Sequence, residues 1–112
     1  MMQEEGFLKE RVFLKMPEGF EAEETKLEIV EAGNKKITLV KFRGEFFACA
    51  HLCPHAGGVL SGGRIDDKGN IVCPLHGYRF NLKNGRNSSG EGFHLKIFRL
   101  EKTAGGFWVE IR

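Results

Sequence analysis

The 112-residue chain carries 17 Lys and Arg against 15 Asp and Glu, a formal net charge of +2, with 41% hydrophobic residues and ten Phe. That length supports one core of modest size, and that composition belongs to a folded chain rather than a disordered one. A charge so near zero gives no field for nucleic acid or a membrane surface, and no apolar run approaches the ~20 residues of a membrane span.

Short apolar stretches separated by Gly, Pro, Asn and Asp recur along the chain, the rhythm of an all-β domain, and no segment holds a long 3.6-residue period. Residues 11–15 form the first expected strand, closed by Met16-Pro17-Glu18-Gly19, and a helical turn is allowed near residues 21–26. Residues 26–31 follow as a strand with Leu27 and Ile29 on one face, and Ala32-Gly33-Asn34 turns the chain. Residues 36–42 and 45–50 are expected to pair as a hairpin about Arg43-Gly44. Residues 63–66 and 70–73 flank a turn at Asp67-Lys68-Gly69, and residues 78–82 make a short strand ending at Lys83-Asn84-Gly85.

Residues 93–100 and 107–111 are read as the closing strands, joined through Ala104-Gly105-Gly106, with Phe107, Val109 and Ile111 on the face opposite Trp108 and Glu110. Phe46, Phe47, Phe93, Phe98, Phe107 and Trp108 are assigned to the core. With no repeat, low-complexity tract or linker, residues 1–112 read as one domain. Glutamates crowd the first thirty-one residues and leave the remainder basic, which reads as a solvated face. The acidic N-terminus lacks the basic-then-apolar order of a signal peptide, so a cytoplasmic location is expected.

Two cysteine–histidine pairs carry the chemistry: Cys53-Pro54-His55 and Cys73-Pro74-Leu75-His76. Each supplies one soft thiolate and one imidazole from a proline-containing loop. Two sulfurs and two nitrogens suit either a tetrahedral zinc ion or a mixed-ligand iron–sulfur cluster. Three cysteines cannot all pair, and a reducing compartment disfavours disulfides, so metal ligation is the better use for two of them. Gly57, Gly58 and Gly77 let the backbone approach closely and are candidates to aim N–H groups at sulfur, while Pro54 and Pro74 stiffen the loops. Cys49 reads as a buried inert thiol, His51 as a strand-end residue, and His94 as part of a strand away from both pairs.

The stretch Cys53-Pro54-His55-Ala56-Gly57-Gly58, and the longer one from Cys73-Pro74-Leu75-His76-Gly77-Tyr78 to Gly85, resemble the two boxes of soluble Rieske ferredoxins. The resemblance implies a β-sandwich-like base topped by a small cluster-binding subdomain, here about residues 50–86, with histidines near the surface. It also implies one [2Fe–2S] cluster per chain, with Cys53 and Cys73 on the inner iron and His55 and His76 on the outer. Two imidazoles in place of two thiolates remove two negative charges, which raises the potential relative to a four-cysteine cluster.

In the Rieske proteins of cytochrome bc complexes, extra cysteines form a disulfide beside the cluster; those positions match Gly58 and Leu75 here, so none forms. The serine and tyrosine hydroxyls that bond sulfur in that branch align with Tyr78 and Phe80, and Phe80 has no donor, so the reduced cluster is stabilised less and the chain sits with the soluble, low-potential ferredoxin branch. The resemblance therefore implies a single-electron carrier, not an enzyme, between a reductase and a terminal oxidoreductase such as an oxygenase. No small-molecule substrate, nucleic acid or membrane partner is expected. A small redox or regulatory subunit like that of assimilatory nitrite reductases, and a zinc-stabilised interaction module, are the competing expectations.

Overall fold

The computed structural model describes residues 11–88 and 92–111. Among the described residues, ten strands and two short 3-10 turns make an all-β fold, and every strand pairing is antiparallel. Among the described residues no helix is long and apolar enough to cross a membrane.

The first sheet holds β1 (Arg11–Lys15), β10 (Gly106–Glu110) and β9 (Leu100–Thr103) in that order. The second runs β2 (Glu28–Ala32), β3 (Lys35–Phe42), β4 (Glu45–Ala50) and β8 (Ile97–Phe98). The third is β5 (Arg64–Ile65), β6 (Asn70–Val72) and β7 (Arg79–Asn81).

The second sheet lies between two cores, and its sequence shows why. In β3 the run Ile37-Thr38-Leu39-Val40 is buried throughout, as a strand covered on both faces requires. Ile37 and Leu39 face one core with Phe20, Phe107 and Val109 from the first sheet's side. Val40 faces a second core with Ile71, Phe80, Leu82 and Leu95. Strand β4 repeats the division, with Ala48 in the first core and Cys49 in the second. The β3–β4 hairpin turns on Arg43 (φ 52°) and Gly44 (φ 82°), two left-handed residues in succession. Such a turn matches the right-handed twist of the strands it joins.

Two expectations are corrected, and the register of β2 is settled. Residues 93–100 are not one strand: β8 pairs with β4, and after Arg99 the chain crosses to the first sheet as β9. Serving two sheets within seven residues is incompatible with a continuous strand. Ile29 is exposed because the Gly33-Asn34 turn sets a register that places Val30 beside Ile37, so Val30 and Ala32 face the core. Trp108 (39% exposed) and Phe93 (40% exposed) lie at the surface, whereas Phe98 and Phe107 are core residues. Near residues 21–26, the only helical structure is the 3-10 turn Phe20–Ala22.

Asp66 ties the third sheet together. Its carboxylate accepts the Lys68 and Asn70 N–H groups at 2.9 Å, the Asn70 amide at 3.1 Å and the Arg79 guanidinium at 2.7 Å. One side chain thus fixes the β5–β6 turn and joins it to β7. Burial alone would raise the Asp66 pKa, but the bonds from Asn70, Lys68 and Arg79 outweigh it and hold the pKa at about 2, against 3.8 normally. A lowered folded-state pKa stabilises the fold above the unfolded value, and that contribution disappears as pH falls through the folded one. With a side chain only 10% exposed, the shift corresponds to about 2 kcal/mol. Urea denaturation of Asp66→Asn at pH 7 should show a loss of that order. The gap to the parent should narrow as pH drops from about 4 towards 2; a gap independent of pH would refute the assignment.

Candidate metal centre

Both ligand-bearing loops leave the ends of core strands and share one backbone design. The first begins three residues after β4, and the second directly follows β6. In the first, Cys53 N–H donates to the Gly58 carbonyl at 2.8 Å and Gly57 N–H to the Cys53 carbonyl at 2.8 Å. In the second, Cys73 N–H donates to Tyr78 O at 2.8 Å and Gly77 N–H to Cys73 O at 3.1 Å. Gly57 (φ 76°) and Gly77 (φ 74°) are left-handed at equivalent positions, a conformation that a Cβ would penalise. Laid over one another, the loops read Cys-Pro-His-Ala-Gly-Gly and Cys-Pro-Leu-His-Gly-Tyr. The difference between the two spacings is therefore one histidine moved by one position on a common scaffold.

The thiols point inward and together. Cys53 and Cys73 are both buried in the second core, with their side chains within hydrogen-bonding reach. Burial pushes the Cys53 thiol pKa up; the backbone N–H groups of Ala56 and His55 bond its sulfur and act the other way, and neighbouring Cys73 raises it again. Two donors aimed at a sulfur stabilise thiolate, not thiol. These donors belong to His55 and Ala56. The N–H groups of Gly57 and Gly77, expected to face sulfur, are instead spent on closing the loops. Gly58 has a different job: a Cβ there would lie 3.0 Å from Cys73 Sγ and 3.0 Å from Leu75 Cγ. The two positions aligned with the disulfide of the bc branch thus face one another as a glycine–leucine contact.

The imidazoles sit outward, with ring centroids 5.0 Å apart. His55 is half-buried and His76 exposed. His55 Nδ1 is buried with no hydrogen-bond partner, a costly arrangement for a polar nitrogen unless it binds something. Among the described residues no three His, Cys, Asp or Glu side chains converge on one point. A tetrahedral zinc ion needs four donors at one point, whereas a two-iron group takes its protein ligands as pairs, the arrangement of these thiols and imidazoles. The donor set fits a two-iron group.

The remaining candidates fall outside this set. Cys49 is buried in the second core, where desolvation pushes its pKa up to about 12. His51 is half-buried and its carbonyl accepts Leu60 N–H. His94 is exposed, its Nε2 2.8 Å from the Asn84 carbonyl. Sequence reasoning missed Phe93, which packs 5.2 Å from His55, and the placement of the Tyr78 ring against the same imidazole. The Tyr78 contact was signalled only by its place just after the second box; for Phe93 no sequence signal existed.

The family model for the Rieske [2Fe–2S] domain matches residues 14–98. The chain is 46% identical over 56 residues to human apoptosis-inducing factor 3, covering 50% of this chain and 9% of that one. It is 29% identical over 80 residues to the ferredoxin component of the alkene monooxygenase system of Xanthobacter autotrophicus, covering 71% and 65%. The chain therefore spans less than two thirds of the length of these relatives. Among solved structures, the ferredoxin of carbazole 1,9a-dioxygenase from Nocardioides aromaticivorans superposes with a TM-score of 0.78 at 16% identity, over 90% of this chain and 99% of that one. A chain in a complex of reduced oxygenase and oxidized ferredoxin of carbazole 1,9a-dioxygenase matches with a TM-score of 0.75 at 26% identity, over 88% and 93%.

The Cys49 environment sets a chemical test. With a pKa of about 12, only about one thiol in ten thousand is ionised at pH 8, and the thiolate is the nucleophile. Iodoacetamide at pH 8 should leave Cys49 unmodified in the folded protein and modify it after denaturation, as read by peptide mass spectrometry. Rapid native labelling would show that the thiol is neither buried nor neutral.

Proposed function

The chain belongs to the Rieske [2Fe–2S] domain family and carries one [2Fe–2S] cluster, and from that membership we propose that it is an electron carrier. It passes single electrons between a reductase and a terminal oxidoreductase such as an oxygenase. Cys53 and Cys73 hold one iron, and His55 and His76 hold the other. Residues 1–112 form a single Rieske domain, with residues 50–86 as its cluster-binding subdomain, and the protein works in the cytoplasm without a small-molecule substrate of its own. When bound, the cluster supplies a one-electron couple that forms and breaks no bond to a substrate.

The observation that carries this reading is the split of the four donors by depth. Both thiols lie in a core and both imidazoles at its edge, with His76 exposed. The buried side fixes the metal by two thiolates, that of Cys53 steadied by the His55 and Ala56 N–H groups. The outer side brings a ligand ring to where a partner protein touches. Leu52, Val59, Leu75 and Phe93 are exposed apolar side chains carried by the same loops or packed on His55, with Leu75 55% exposed next to His76. These exposed apolar side chains beside the histidines mark the face that a protein partner would contact. Relatives named as ferredoxin components of alkene monooxygenase and 3-phenylpropionate/cinnamic acid dioxygenase systems support an oxygenase as the acceptor.

The purified protein should carry about two irons and two acid-labile sulfides per chain and take up one electron in a reductive titration. Cys53→Ser or Cys73→Ser should abolish normal assembly, whereas Cys49→Ala should leave iron and sulfide content unchanged. Normal content in either loop variant, or loss in Cys49→Ala, would overturn the ligand assignment. The carrier role is checked separately. The chemically reduced protein should be reoxidised by a ferredoxin-dependent oxygenase component in anaerobic stopped-flow, and failure with every such acceptor would count against it.

A further inference from the structure

Tyr78 lays its ring flat on the imidazole of His55, with centroids 3.8 Å apart and planes 12° from parallel. Phe93 meets the same imidazole at 5.2 Å and 67°, and lies 6.0 Å from Tyr78. These separations close a triangle, so Phe93 stands at the edge of the imidazole beside both rings and not on its far face. His76 approaches edgewise at 5.0 Å and 70°.

A histidine ring turns about its last side-chain bond in a broad, soft well unless its surroundings hold it. No hydrogen bond holds His55 through Nδ1, because that atom is buried without a partner. Packing holds it instead. Any large turn of the ring would drive it into the face of Tyr78 and against Phe93. Tyr78 is itself well placed to act as a wall. Its carbonyl accepts Cys73 N–H at 2.8 Å, and β7 begins at the next residue. The second loop thereby restrains the histidine of the first. His76 has no comparable stacked ring among the described contacts.

We infer that Tyr78 is a positioning residue for His55, its ring face fixing the imidazole plane so that Nδ1 keeps its buried, unpartnered position. The inference rests on the reading of His55 as an iron ligand. The required element is the aromatic face and not the hydroxyl, so Tyr78→Phe and Tyr78→Leu give opposite outcomes.

Pulsed electron paramagnetic resonance on the reduced, cluster-loaded protein with 15N-labelled histidine reads this directly. The parent should show two histidine nitrogen couplings, and Tyr78→Phe should reproduce both. In Tyr78→Leu, with iron and sulfide content unchanged, one coupling should broaden as the ring samples several orientations, while the other stays at its parental width. Two unchanged couplings in Tyr78→Leu, two couplings altered alike, or an altered coupling in Tyr78→Phe would overturn the inference. Should Tyr78→Leu fail to assemble, Tyr78→Trp must assemble and show the parental couplings, and its failure is equally fatal. Fewer than two histidine couplings in the parent would instead defeat the ligand reading, so the two failures are distinct.

Discussion

Two buried thiols within hydrogen-bonding reach of each other are the constraint on which the site depends. Burial opposes charging Cys53, and Cys73 opposes it again. A pair of thiolates in such a place is stable only against a cation, because an uncompensated charge in a low-dielectric interior is expensive. The backbone N–H groups of His55 and Ala56 ease that cost at one sulfur. They do not remove it, so metal loading and proton release from the thiols are two sides of one equilibrium.

The rest of the fold can be understood as what keeps those sulfurs together. The second sheet is covered on both faces, and its β4 delivers the first loop, while β6 of the third sheet delivers the second. Val40, Cys49, Ile71 and Phe80 pack in the same core as Cys53 and Cys73, so the loops stand directly on packed side chains. Asp66 closes the third sheet from beneath by joining its first turn to Arg79, the residue after Tyr78. The N–H of each cysteine and the carbonyl of each cysteine are both engaged within the loop, which leaves the thiol as the group free to bind.

Much of this was legible in the chain because it rests on local rules. The extents of β1 and β4, the Arg43-Gly44 hairpin and the alternation of Phe107, Val109 and Ile111 follow from turn chemistry and a period of two. The paired boxes were legible from spacing, and the structure brings the two thiols together and the two imidazoles together. What was not legible depended on tertiary packing. Which of Ile29 and Val30 faces the core is set by which residue of β3 lies opposite, and one step inverts the answer. Residues 93–100 alternate plausibly, yet the chain leaves one sheet for another at Arg99, a choice made by packing. Phe93 and Trp108 are aromatic like the core residues around them, and nothing local says that they end at the surface. The N–H groups of Gly57 and Gly77 do not face sulfur because a tight loop needs its own carbonyls satisfied before it can offer donors to a ligand.

The one-residue offset between the boxes helps turn a shared backbone design into a polar site. The two loops share their backbone hydrogen bonds, but the sixth residue is Gly58 in one and Tyr78 in the other. Moving one histidine a single position adds to that difference. His55 falls under the Tyr78 ring and becomes half-buried, while His76 stays exposed beside Leu75. The leucine that occupies the vacated position in the second loop packs towards Gly58, so the same offset that exposes His76 also fills the gap between the loops. A carrier needs both properties at once: a centre whose ligands do not move, and one ligand edge that a partner can reach. Under the proposed carrier role, half-buried His55 stacked on Tyr78 would supply the first and exposed His76 the second, a division set by the histidine offset together with Tyr78 standing where the first loop has Gly58.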